Sequence, residues 1–283
     1  MASISANEFK LLRDYIEKSC GILVGDEKAY LIESRLSSLM AQNGCSTFAE
    51  FYQKAVSDRT VGLRDKIVDA MTTNETLWFR DSHPYKVLDE VLLREFADEI
   101  SKGKRRKIRI WSAACSTGQE PYSIAMVINE FARKSSVLPM EFVEIVATDI
   151  SPSALFLAMA GRYDKLSMSR GMTDEMRDRY FDQTGNVWAV KDKIKKMVTY
   201  KKFNLQDSFT LMGSFDIIFC RNVAIYFSEQ FKRDLFKRFA QLLRPTGIFF
   251  LGASESMSNY STEYQLLTHN RAMYYRVKQE GKV

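Results

Sequence analysis

The chain is poor in the side chains that most often carry metal or covalent chemistry. Its 283 residues include two histidines and four cysteines, Cys20, Cys45, Cys115 and Cys220. No two cysteines form a Cys-x-x-Cys pair, so neither a structural zinc site nor a disulfide framework is expected, and no metal ligand set stands out. No run approaches the ~18 consecutive apolar residues of a membrane helix, so membrane insertion is not expected. The opening Met1–Ala6 lacks a charged stretch followed by an apolar block, so no secretory leader is expected and the cytoplasm is the expected location. Prolines number 5 and glycines 13, which excludes collagen-like and low-complexity chains. Neither charge sign dominates. The 41 Lys and Arg exceed the 35 Asp and Glu to give a net +6, an excess that suits an acidic partner without requiring nucleic acid.

What is present is an ordinary globular composition, 46% hydrophobic and 27% charged, able to bury a core. Length alone suggests about two domains at ~150 residues each. Residues 1–73 carry helical periodicity: Phe9, Leu12 and Ile16 share a face, then Ile32, Leu36, Leu39 and Met40, then Phe48, Phe51, Tyr52 and Ala55. Ser5-x-x-Glu8 and Thr47-x-x-Glu50 have the spacing of capping boxes. We take 1–73 as a helical N-terminal domain, 74–90 as an interdomain linker and 91–283 as an α/β domain. In that domain short apolar runs (108–111, 144–149, 215–220, 247–252) alternate with helical patterns (121–131, 228–243), the rhythm of a largely parallel sheet. Residues 160–202 break the rhythm. Val187–Val190 and Met197–Tyr200 resemble a short antiparallel pair, so the segment is expected to be an inserted β-subdomain.

Four constellations could carry chemistry. Trp111-Ser-Ala-Ala-Cys-Ser-Thr-Gly118-Gln-Glu120-Pro121 runs from a strand through small residues into a helix. It suits either an ordinary turn or a ligand-binding loop at the carboxyl edge of a sheet. Asp149 ends the next strand, where a carboxylate can accept from two ribose hydroxyls or simply cap the helix starting at Ser151-Pro152. Together they favour a nucleoside-containing cofactor. The single glycine at Gly118 and the lack of a Gly-Lys-Ser/Thr loop argue against phosphate-bearing cofactors. S-adenosylmethionine has no phosphate and fits better. The third constellation, Thr72–Arg80, sets polar groups beside Trp78 and Phe79. The fourth, Cys220–Phe227, places Arg221 and Asn222 just after an apolar strand, where polar groups need hydrogen-bond partners.

These segments are long and occur in a fixed order: Thr-Asn-Glu-Thr-x-x-Phe-Arg (73–80), Ser-Ala-Ala-Cys-Ser-Thr-Gly-Gln-Glu-Pro-Tyr-Ser (112–123), Ala-Thr-Asp-Ile-Ser (147–151), Phe-Asn-Leu (203–205) and Phe-Cys-Arg-Asn-Val-x-Ile-Tyr-Phe (219–227). The chain resembles, over essentially its whole length, the bacterial chemotaxis receptor methyltransferases of the CheR type. The resemblance implies a Rossmann-like S-adenosylmethionine methyltransferase domain with a small antiparallel β insert, preceded by an all-helical domain. It implies that Asn74, Thr76 and Arg80 line the cofactor, that Glu120 and Asp149 hold its amino acid portion and ribose, and that Asn204-Leu205 and Asn222-Val223 flank its adenosine. The family often has Glu where this chain has Gln119.

The implied reaction forms a methyl ester on receptor glutamates and leaves S-adenosylhomocysteine. A glutamate with a pKa near ~4.3 is already an anion at neutral pH, so the reaction needs alignment rather than a base. Arg80 and Tyr226 are the candidates to position that carboxylate, and Arg80 is equally a candidate for the cofactor's own carboxylate. The implied partner is the cytoplasmic helical bundle of methyl-accepting receptors, touched by the helix around Tyr30–Leu36. That helix carries Arg35 followed by Ser37 and Ser38, where better-known members have several arginines. The turn Gln183–Val187 is shorter than in members that grip a receptor tether, so independence of a C-terminal receptor pentapeptide is expected, as is action as a monomer. Lys104–Lys107 is expected to be a solvated loop rather than a nucleic-acid site. The basic insert, at Lys191, Lys193 and Lys195, is expected to steer toward an acidic receptor surface.

Overall fold

The structure, a computed structural model, describes residues 3–135 and 138–278. It opens with helices α1 (Ala6–Cys20), α2 (Ala29–Gln42), α3 (Phe48–Ser57) and α4 (Gly62–Met71). Each is short and would be marginal alone. They hold together because Leu12, Ile16, Ile32, Leu36, Phe51 and Ile67 bury in one shared core, at roughly 1.5–3 kcal/mol per large apolar side chain. The Ser5–Glu8 capping box closes in both directions. At Thr47 only half of the box forms. Thr47 Oγ1 accepts from Glu50 N at 3.2 Å, but the Glu50 carboxylate accepts from Ser46 N at 2.7 Å instead.

Residues 72–82 then cross to the second unit without helix or strand. Next α5 (His83–Val87), a π-helical turn (Leu88–Leu92) and α6 (Leu93–Ser101) follow without a break, so a boundary at residue 90 falls inside a helical run. The order continues β1 (Ile108–Ala113), α7 (Gln119–Lys134), β2 (Val143–Asp149), α8 (Pro152–Ala160), β3 (Arg162–Asp164), α9 (Lys165–Ser169), α10 (Asp174–Tyr180), β4 (Phe181–Thr184), β5 (Val187–Val190), α11 (Asp192–Lys195), β6 (Val198–Lys202), β7 (Phe215–Phe219), α12 (Glu229–Leu242), β8 (Leu243–Phe250), β9 (Tyr264–His269) and β10 (Ala272–Val277).

Seven strands form one sheet in the order β6-β2-β1-β7-β8-β10-β9. The first five are mutually parallel, and β10 and β9 add an antiparallel hairpin at one edge. β7 (Phe-Asp-Ile-Ile-Phe) is buried at every position, as expected for a strand covered on both faces. One face is packed by α5–α7 and the insert, and the other by α12 around Trp111, Phe215, Phe239 and Phe249. This is the Rossmann-like fold with a small antiparallel sheet, β3-β5-β4, beside it.

One reading changes and two gain detail. Val187–Val190 does not pair with Met197–Tyr200. β5 lies between β3 and β4, and β6 is the outermost parallel strand of the main sheet, beside β2. Only one face of β6 is covered, so its sequence alternates like that of an antiparallel strand. The Lys104–Lys107 run is a loop with Lys104, Arg106 and Lys107 exposed, as expected, but not all of its charge faces solvent. Arg105 bridges Glu99 and the buried Asp216 and stacks 4.4 Å over Phe96, while Lys107 and Arg109 pair with Glu144. The insert's lysines are also partly committed. Lys191 and Lys195 donate to backbone carbonyls of Arg179 and Ala160, at 3.1 Å each, and Lys193 lies over the Tyr180 ring.

Candidate functional site

The chain leaves β1 toward β2 on one side and returns to β7 on the other. At this switch point the strands' carboxyl ends splay apart and open a crevice. A solvent-open cavity of about 970 Å³ lies there. Its floor is the turn after β1, where Ala114 (φ 60°), Ser116 (φ 50°) and Gly118 (φ 92°) are all left-handed. This winding turns Ser116 N toward Asp149, whose Oδ2 accepts at 2.7 Å while Oδ1 accepts from Ser151 N at 2.9 Å. The end of β2 is thereby tied to the end of β1. Burial raises the Asp149 carboxyl above its ordinary range, although these backbone donors pull it back down.

Glu120 stands in the first turn of α7, where a helix N-terminus favours a carboxylate. It accepts from Ser112 Oγ at 2.7 Å and from Arg221 Nη1 at 3.1 Å. Burial still pushes its carboxyl up, against the pull of Arg221 and Ser112. Arg221, its side chain 1% exposed, also donates to Asp81 Oδ2 at 2.7 Å and to Arg80 O at 2.6 Å. One guanidinium thus joins α7, the crossing segment and the end of β7. Sequence reasoning noticed Arg221 as a polar residue after an apolar strand but gave it no place in the site. Nothing singled out Asp81.

The crossing segment forms a side wall. Asn74 Nδ2 donates to Ser151 Oγ at 3.4 Å, and its carbonyl accepts from Ser116 Oγ at 3.0 Å. Arg35 does not project outward from α2 toward a partner. It donates to Met71 O (2.6 Å), Thr72 O (3.1 Å) and Thr73 Oγ1 (3.0 Å), pinning the start of this wall. The N-terminal helices close the opposite side with Cys20 and Ile22. Leu23 N donates to Tyr226 O at 2.8 Å, and Asn204 spends its amide on Ser19 O and Gln206 N.

All ten residues singled out from the sequence, Asn74, Thr76, Arg80, Glu120, Asp149, Asn204, Leu205, Asn222, Val223 and Tyr226, line this one cavity. So do Cys20 and Cys115, but burial pushes Cys20 up to about 11 and raises Cys115 well above its usual value, so both stay thiols rather than nucleophiles.

Residues 74–273 match the CheR methyltransferase, SAM binding domain, and residues 7–72 match the CheR methyltransferase, all-alpha domain. The chain belongs to the CheR methyltransferase family. It is similar to chemotaxis protein methyltransferase 1 of Pseudomonas aeruginosa, 47% identical over 96% of this chain and 98% of the relative. It is also similar to the chemotaxis protein methyltransferase of Vibrio parahaemolyticus, 45% identical over 98% of each.

The cofactor of this CheR-family chain is S-adenosylmethionine, and the cavity suits it. Asp149, held by backbone N–H donors, keeps acceptor capacity that suits hydroxyl groups. Asn222 Oδ1 is buried without a donor among the described residues and can accept from a ligand amino group.

Proposed function

We propose that this enzyme transfers the methyl group of S-adenosylmethionine to glutamate side chains in the cytoplasmic helical bundle of methyl-accepting chemotaxis receptors, acting as a cytoplasmic monomer. The observation that carries the acceptor assignment is Arg80. Its guanidinium lines the cavity, donates only to Glu75 O at 3.3 Å, and pairs with no carboxylate among the described residues. A cation with spare, forked donors at the mouth of a methyl-transfer site suits a carboxylate acceptor.

The roles follow from position. Asp149 has lone pairs beyond its two backbone donors and would hold the ribose hydroxyls. Glu120 would take the cofactor's ammonium. Asn74 and Thr76 would line the cofactor from the crossing segment, and Asn204, Leu205, Asn222 and Val223 would flank the adenosine. When bound, the cofactor supplies a methyl group on a sulfonium. Its transfer would form a bond to the acceptor oxygen as the bond to sulfur is lost, leaving S-adenosylhomocysteine and a methyl ester. No residue need take a proton, since the acceptor is already ionised. Arg80 and Tyr226, the latter 36% exposed at the cavity, would align the carboxylate.

The β4–β5 turn is only Gly185–Asn186, which offers little to grip a receptor tether and supports independence of a C-terminal pentapeptide. Saturable binding of that isolated peptide in calorimetry would argue the other way. The decisive assay is radiolabelled methyl transfer to receptor membranes, with label released as methanol in alkali. Arg80→Ala should lose at least a hundredfold in rate. If S-adenosylhomocysteine affinity falls in parallel, Arg80 serves the cofactor instead. If wild type yields no base-labile label, the glutamate assignment is wrong.

A further inference from the structure

The loops leaving β7 and β8 meet at the cavity wall. Gly252 lies so close to Asn222 that a Cβ on it would sit 2.5 Å from Asn222 Nδ2. One carboxylate joins the two loops. Glu255 Oε2 accepts from Asn222 N at 2.6 Å and from Gly252 N at 2.8 Å, and Oε1 accepts from Val223 N at 3.1 Å and Ile225 N at 3.3 Å. Three of these four donors belong to the segment that carries Asn222 and Val223 into the cavity. Asn222 is held there at φ 58°, a left-handed backbone that a non-glycine residue keeps only when its surroundings impose it. Glu255 does not itself line that cavity. It faces a separate one of about 470 Å³, alongside Asp81 and Arg271.

We propose that Glu255 is a positioning residue for the cofactor, acting through the loop Asn222–Ile225. The inference rests on the methyltransferase reading and extends it to a side chain in a polar loop, Ser254-Glu255-Ser256, with no sequence signal of its own. The role needs an ionised carboxylate, not just a side chain of that size. Both oxygens face pairs of N–H donors, and only a carboxylate is acceptor on both sides. An amide in its place has the same shape but turns an NH₂ toward two N–H groups. That repulsion displaces the loop, while the packing volume is unchanged.

The test uses the full chain and S-adenosylhomocysteine as probe in calorimetry, so it does not depend on which protein is methylated. Glu255→Gln should bind the probe at least tenfold more weakly. Glu255→Asp keeps the charge but reaches fewer donors, and should fall in between. With a receptor fragment, the KM for S-adenosylmethionine should rise while the KM for the receptor stays put. A residue that only supports the fold would lower the melting temperature without this split. Wild-type affinity in Glu255→Gln, or in Glu255→Asp and Glu255→Ala if Gln does not fold, would overturn the proposal. So would an equal rise in both KM values.

Discussion

Replacing Arg221 by methionine removes the cation that contacts Glu120 in the interior, while keeping an aliphatic side chain. Arg221 is 1% exposed and Glu120 12%, so the pair is shielded from water. Breaking such a pair costs about 3–5 kcal/mol, because one charge is left buried without its partner. Asp81, at 31% exposure, can turn to water and adds little. Ser112 Oγ remains bonded to Glu120, so the loss belongs near the lower end, about 3 kcal/mol at pH 8. The pH dependence has a definite sign. The Glu120 carboxyl is already raised in the folded protein, so the folded state holds its proton longer than the unfolded state. Stability therefore falls as pH rises from the unfolded carboxylate value through the folded one. Losing Arg221 raises the folded value further and extends that window upward. The gap between variant and wild type should shrink from pH 8 toward pH 5, by up to about 1.4 kcal/mol per unit of added shift. Urea unfolding followed by tryptophan fluorescence at both pH values measures this. Arg221→Met/Glu120→Gln, with no stranded charge, should recover most of the loss. A variant within about 1 kcal/mol of wild type at pH 8, or a double variant no more stable than the single one, would refute the reasoning.

Other perturbations separate the site from the scaffold. Asp149→Asn keeps one acceptor oxygen, and should weaken S-adenosylhomocysteine binding at least tenfold, about 1.4 kcal/mol, by calorimetry. Because burial raises the Asp149 carboxyl, wild-type affinity should begin to fall above the ordinary aspartate range as pH drops, and this pH dependence should flatten in the variant. Gly171→Ala should destabilise by about 2 kcal/mol or more, since Gly171 sits at φ 94° and a Cβ there would lie 2.1 Å from Trp78 O; thermal melts check it. Arg105→Ala removes the closest cation from the buried Asp216, at the opposite end of the sheet from the cavity, and leaves it Arg244 Nε at 3.8 Å and Arg109 N at 2.7 Å. It should lower stability by about 2–3 kcal/mol yet leave S-adenosylhomocysteine affinity unchanged.

Where signals are local, residue pattern and structure agree. The apolar periodicity of α1–α3 reports the face that each helix buries. The mostly apolar runs of β1, β2 and β7 report strands covered on both sides. The Ser151 cap, bonded to Ala154 N, and Pro152 mark the start of α8 one residue pair after Asp149. Four of the segments that line the cavity, around Thr72–Arg80, Ser112–Glu120, Asp149 and Arg221–Asn222, were also readable as polar residues directly after an apolar strand or helix, whereas Asn204-Leu205 entered only through the family resemblance. What was hidden depends on which distant segments become neighbours. β6 looks like half of a hairpin because it alternates, and its partner β2 is decided by the crossover through the insert. The β9–β10 hairpin passed unread, since its strands at the sheet edge carry exposed Leu266 and Met273 among polar residues and lack a clean alternation.

Charged side chains mark the same divide. Composition and order point to a helical unit and an α/β unit and favour a cofactor without phosphates, because helix faces, strand runs and turn chemistry depend on residues near each other in the chain. They do not establish that Arg35 holds the crossing segment, that Arg105 seals the base of the sheet, that Arg221 joins three segments, or that Glu255 gathers two loops. The chain order does not show which groups any of these charges will meet. Only the packed fold brings each beside backbone donors, carbonyls or a buried opposite charge, and the cost of leaving those groups unpaired is what assigns it a place.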